Sequence, residues 1–102
     1  MYVVNRFNLS LLPNVCTIKS SNITESVACT MLKSSEILSN IKDVGIKEKI
    51  EKAIGKELTD GEVKGKYLKN DIIMVVTYYG PKRSKDEPIN QGKLEYKLLV
   101  IE

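Results

Sequence analysis

Five consecutive apolar residues, Ile72-Ile73-Met74-Val75-Val76, constrain this chain more than any other stretch of it. Successive side chains of a strand point to opposite faces, so an unbroken run is apolar on both. A strand of that kind belongs in the middle of a sheet that is covered on both sides. Lys69-Asn70-Asp71 precedes it as a hairpin turn, since Asn and Asp tolerate positive φ. At 102 residues there is room for one domain, residues 1–102, with one core. An apolar share of 42% is ordinary for a folded soluble chain, so that core can be filled.

The partners of this strand are legible on either side of it. Residues 2–7, opening Tyr2-Val3-Val4, alternate as a strand does. Asn8 to Pro13 reads as a turn or a short helical step closed by the proline. Cys16-Thr17-Ile18-Lys19 is a second short strand. Ser20-Ser21-Asn22 then both stops it and starts a helix, because Asn22 with Glu25 three residues on has capping-box spacing. Val27, Ala28, Met31 and Leu32 form one face of that helix, which ends near Lys33. Residues 34–41 are ambiguous: Ile37, Leu38 and Ile41 fit either a helical continuation or a short buried strand.

The second helix is the clearest element. Ile46, Ile50, Ala53 and Ile54 share one face. Lys47–Glu51 and Glu48–Lys52 place opposite charges at i, i+4 on the other. Asp43 or a neighbour caps its start, and Gly55 sits where a C-cap glycine would. Asp60-Gly61 is a turn signal, residues 62–68 read as a strand, and Lys93–Ile101 is a last strand with Leu94, Tyr96, Leu98 and Val100 on one face. The expected class is α/β (α+β): one mixed sheet of about five strands, two amphipathic helices and a C-terminal antiparallel meander.

Composition excludes several chemistries. There is no histidine, so a histidine base for nucleophilic catalysis is missing, and no carboxylate pair stands out for acid–base work. A CxxC pair is absent, and a metal or other cofactor is not expected. Cys16 and Cys29 read as free thiols, at least one packed as a small apolar group, or as a bridge if geometry allows. No apolar run approaches the roughly 18 residues of a membrane span, and no membrane partner is expected. The first strand starts at Tyr2 without a signal peptide, which points to the cytosol. A net charge of +3 permits anionic partners without demanding them.

Four features are candidates for function. The loop from Gly80 to Gly92 holds Lys82, Arg83 and Lys85, offset by Asp86 and Glu87; it reads either as a basic flap over a phosphate-bearing ligand or as a solvated loop. The start of the second helix, Lys42-Asp43-Val44-Gly45, offers free N–H groups and a positive dipole end, with Gly45 allowing a ligand close to the backbone. Asp43 as a plain N-cap is the simpler account. The helix lysines Lys47, Lys49, Lys52 and Lys56 interleave with Glu48, Glu51 and Glu57, which suits a solvated face better than a nucleic-acid face. Tyr67, Tyr78, Tyr79 and Tyr96 suit a core or a dimer interface better than base stacking.

Taken in order, the segments are Tyr2-Val3-Val4-Asn5-Arg6-Phe7-Asn8-Leu9-Ser10-Leu11-Leu12, Thr17-Ile18-Lys19, the short capped helix and Ile37-Leu38-Ser39-Asn40-Ile41. The helix ending at Gly55, the hairpin through Val76 and the C-terminal strand follow. This succession resembles the small archaeal viral ring nucleases that cleave cyclic tetra-adenylate, the type III anti-CRISPR proteins, which also have bacterial and plasmid members. The opening is similar to that family's tyrosine–aliphatic–Asn-Ala-Phe-Ser opening. The resemblance implies a crenarchaeal-virus protein of a thermophilic host, in the host cytoplasm. It also implies a homodimer that binds the ring-shaped second messenger of type III CRISPR defence in a groove across the two-fold axis.

In that family the catalytic histidine follows a glycine at the start of the second helix; here the pair is Lys42-Asp43. The arginine after the helix-to-strand turn falls at Glu62. The arginine at the end of the central strand falls near Pro81, with Lys82 and Arg83 as stand-ins, and Asn5 matches a polar ligand-binding position. The groove residues so implied are Asn5, Ser10, Lys42, Asp43, Gly45, Lys82 and Arg83, and no catalytic residue is assigned. An imidazole can donate a proton near neutral pH, whereas a carboxylate that is ionised there cannot. Glu62 in place of arginine adds an anion where a ring phosphate would sit. The expectation is a chain that keeps fold and dimer, has lost ring-nuclease activity, and acts by binding a host protein, a nucleic acid or a cyclic oligoadenylate. The alternatives are a divergent ring nuclease using other groups and a nucleic-acid-binding protein.

Overall fold

A computed structural model describes residues 1–61 and 65–102. The apolar run lies in β4 (Ile72–Tyr79), the middle strand of a five-stranded mixed sheet. The others are β1 (Tyr2–Val4), β2 (Ile18–Ile23), β3 (Leu38–Asn40) and β5 (Lys93–Ile101), in the order β2-β5-β4-β1-β3. β4 is antiparallel to β5 and parallel to β1, β1 is parallel to β3, and β2 is antiparallel to β5. The antiparallel part is thus β4-β5-β2. Residues 62–64 lie outside the described residues, and 65–68 are not in a strand, so Lys69–Asp71 is a turn into β4 rather than one between two strands. Asn70 does take the positive φ, 72°, expected of it.

Burial of β4 on both faces follows from its place. Met74 and Val76 point to an inner core with α1 (Glu25–Ser34) and α2 (Val44–Ile54), built on Val3, Leu32, Ile46, Ile50, Ile54 and Tyr96. Ile73 points the other way, with Val4, Tyr67, Leu99 and Ile101. That outer cluster is closed by the segment from Phe7 to Ile18, which includes a 3-10 turn at Leu9–Leu11, where the sequence allowed a short helical step. Tyr67 anchors it: its N–H donates to Leu11 O at 2.7 Å, and its ring meets Tyr2 edge-on and stacks with Phe7.

Several local expectations are corrected. The strand expected over Tyr2–Phe7 ends at Val4, where the chain bends at Asn5. Ser20-Ser21-Asn22 does not stop a strand but continues β2, because β5 supplies a full ladder of partners from Ile18 to Ile23 and an edge strand tolerates polar side chains. Thr24 therefore caps α1, its Oγ1 accepting the Val27 N–H, in place of Asn22. Within residues 34–41, Ser34 ends α1 and Leu38–Asn40 form β3. In α2 the buried face is Gly45, Ile46, Ile50 and Ile54, with Ala53 exposed. The i, i+4 pairs of α2 are not formed. Lys47 instead reaches Asp60, and Glu51 Oε2 accepts the Leu58 N–H. Gly55 ends the helix at φ 71°, where a Cβ would be strained. Cys16 and Cys29 are free thiols packed against opposite faces of the sheet, so no bridge joins them. Among the described residues no helix is long and apolar enough to cross a membrane.

Burial of two tyrosines has a consequence for pH. Desolvation raises the pKa of Tyr67 and, more strongly, of Tyr96 above the ordinary 10.0. In the unfolded chain both ionise near pH 10, while in the fold they keep their protons. The stability they contribute is thus complete below about pH 10 and is lost as pH rises through the folded values. The urea midpoint should be flat from neutral pH to about 9.5 and then fall, with the tyrosinate absorbance of Tyr67 and Tyr96 appearing only as the protein unfolds. Titration of every tyrosine ahead of unfolding would contradict the burial.

Candidate functional site

The start of α2 is where most of the sequence-derived site residues lie. Asp43 is the N-cap: its Oδ1 accepts the Ile46 N–H at 3.1 Å, as an Asp in extended backbone before a helix is placed to do. The chain arrives there from β3 through Lys42, whose N–H donates to Asn5 Oδ1 at 3.3 Å. Asn5 follows β1, so the ends of two adjacent parallel strands are tied together directly beneath the helix start. This is the end of a parallel sheet at which ligands bind in open α/β folds.

The loop 80–92 is folded down onto this spot. Arg83 Nη2 donates to both carboxylate oxygens of Asp43, at 2.9 and 2.8 Å. Arg83 Nη1 donates to the Ser84 and Glu87 carbonyls at 3.0 Å each, so the same side chain also shapes the loop that carries it. Its guanidinium lies 4.5 Å from the centre of the Tyr78 ring, within cation–π range. The Tyr78 hydroxyl donates to Pro81 O at 2.7 Å and lies 3.2 Å from Gln91 O, pinning both limbs of the loop. Finally the Val44 N–H, in the first turn of the helix, donates to Lys85 O at 2.9 Å.

The pair is largely but not fully buried, with side-chain exposures of 8% for Arg83 and 16% for Asp43. Arg83 Nε is buried without a partner, so the pairing is not complete. Gly45 is explained by the same contact: an added Cβ would collide with the Glu87 carbonyl and sit 2.8 Å from Arg83 Nη1. The close approach that Gly45 permits is thus filled by the protein's own loop. Chemically, the helix dipole and one guanidinium share a single internal carboxylate, and one first-turn N–H is already spent on a carbonyl.

The remaining candidates are dispersed. Lys42 and Lys82 are exposed, with neither in an ion pair among the described residues. Ser10 lies in the 3-10 turn, on the sheet face opposite α2, with its Oγ donating to Asn8 Oδ1 at 2.7 Å. Glu62 falls outside the described residues. A small cleft of about 190 Å³ lies beside Lys42, lined by Ser39, Asn40, Asp60 and Gly61. Its carboxylate, Asp60, is held below the ordinary range by hydrogen bonding and charge from Lys47. Lys56, just beyond α2, donates to the Ser35 carbonyl, so it and Lys47 of α2 both serve internal contacts. Among the described residues no cluster of three or more His, Cys, Asp or Glu could hold a metal ion. The Asp43–Arg83 partnership spans 40 positions, and sequence reasoning put both residues in one groove as ligand contacts without pairing them to each other. No protein-family model and no curated protein matches this chain.

Proposed function

We propose that this chain is a non-catalytic, homodimeric binding protein on a ring-nuclease-like fold, acting on a partner other than a phosphate at the start of α2. One observation carries the reading: the Asp43 carboxylate, clamped by Arg83, occupies the place where a phosphate would gain from the helix dipole and a cation. A phosphate entering there must displace Asp43 and expel the loop, leaving a buried carboxylate beside an incoming anion. The groups against the pair are the Tyr78 ring, the Gly45 backbone and backbone carbonyls, none of which donates a proton readily at neutral pH. The dimer and the viral setting rest on the family resemblance.

The test is incubation with cyclic tetra-adenylate at protein in excess, followed by separation of linear products. None is expected, and the Asp43→Ala variant is expected to gain none. Linear products from the wild-type chain that disappear on changing Lys82 and Arg83 would make it a divergent ring nuclease. Salt-sensitive retention on DNA or RNA columns would instead favour the nucleic-acid reading. The mass in solution is expected to be that of two copies.

A further inference from the structure

We infer that the bare half of the outer sheet face is the surface on which a second copy of this chain docks, with Glu95 of each copy set against Lys97 of the other. This rests on the proposed dimer and assigns its interface. Both helices lie on the inner face. On the outer face the Phe7–Ile18 segment and Tyr67 cover the lower rows, those of Ile73, Leu99 and Ile101, and reach Val75 only in part. Above them β2, β5 and β4 present Asn22, Lys97 and Val75 in one row and Glu95 and Thr77 in the next, beside Tyr79, which is 52% exposed. These rows line a cleft of about 580 Å³ that is walled at one side by Phe7.

Charge complementarity names the occupant. Glu95 and Lys97 sit two residues apart on one strand, on one face, about 7 Å from each other. A two-fold axis crossing the strands at the level of Tyr96 carries Glu95 of one copy over Lys97 of the other, and the reverse. The same axis sets Thr77 over Val75 of the second copy. An axis along the strands would instead stack like charges. Packed sheets lie about 10 Å apart, a gap that a lysine and a glutamate span between them. Lys97 has no carboxylate within ion-pair distance among the described residues. Glu95 meets Lys93 through Oε1 only, at 3.2 Å and in the open, where such pairs contribute little.

Charge reversal tests the arrangement by mass in solution. Glu95→Lys places four lysines in the interface and Lys97→Glu four glutamates, so each variant alone should be monomeric. An equimolar mixture of the two should form a heterodimer, which also proves both variants folded, and the double variant Glu95→Lys/Lys97→Glu should dimerise with itself. If both single variants remain dimers like the wild type, the interface lies elsewhere and this assignment is overturned while the dimer stands. A monomeric wild type overturns both. Binding of a single-stranded oligonucleotide lost in Lys97→Glu, with a monomeric wild type, would give the face to nucleic acid and likewise overturn the proposal.

Discussion

Asp43→Ser is expected to destabilise the protein by about 3–5 kcal/mol, although serine preserves an N-cap oxygen for the Ile46 N–H. The cost is not the lost attraction. It is the guanidinium left at 8% exposure with its carboxylate gone, held only by the carbonyls of Ser84 and Glu87 and the Tyr78 ring. Taking an ion out of water costs several kcal/mol, and in this site Asp43 is what offsets most of it. The double variant Asp43→Ser/Arg83→Met removes the charge with its partner, and should recover more than half of the loss. Urea unfolding of the four forms gives the coupling directly, as a double-mutant cycle. A cost below about 1 kcal/mol for Asp43→Ser would mean that the pair contributes no more than a surface bridge. Hydrogen exchange should show the same event locally, since the Val44 N–H is protected by Lys85 O only while the loop is down.

That variant separates what was legible in the sequence from what was not. Each ingredient was visible: Asp43 as a cap, Gly45 as a place of close approach, Arg83 in a long loop. Their combination was not, because a side chain 40 positions away has no periodicity or spacing to announce it. The same limit explains β2. Ser20-Ser21-Asn22 has the local chemistry of a stop and a cap, and only the ladder to β5 makes it a strand. Tertiary pairing overrode propensity there, as it did at residues 34–41, where the parallel partner β1 decided between helix and strand. Conversely, α2 was read almost to the residue because its apolar face, its cap and its glycine agree with one another. Ala53 departs from that face because it lies at the margin of the apolar stripe, where it stays exposed. The helix charges were misread because Lys47 and Glu51 found partners beyond the helix end, at Asp60 and the Leu58 N–H, where an i, i+4 rule does not look.

Ile73→Ala and Ile50→Ala are each expected to cost about 2–5 kcal/mol, and together to cost the sum within about 0.5 kcal/mol. Both side chains are essentially inaccessible, at 0% and 1% exposure. They belong to different clusters: Ile73 faces Tyr67, Leu99 and Ile101 on the outer side, whereas Ile50 projects from α2 into the inner core. With β4 lying between them they share no cavity, and independent cavities add. The magnitude at Ile73 is the sharper test, because the outer layer is only the Phe7–Ile18 segment and the stretch around Tyr67. A rigid cover leaves a cavity and the full cost. A cover that follows the missing methyl groups inward would lower the cost below about 1.5 kcal/mol, the level of a site that collapses. Such a value, read from the urea midpoint at unchanged slope, would show that this thin layer does not hold the central strand as a second core does, and that the double apolar run in β4 owes its stability to the helices alone.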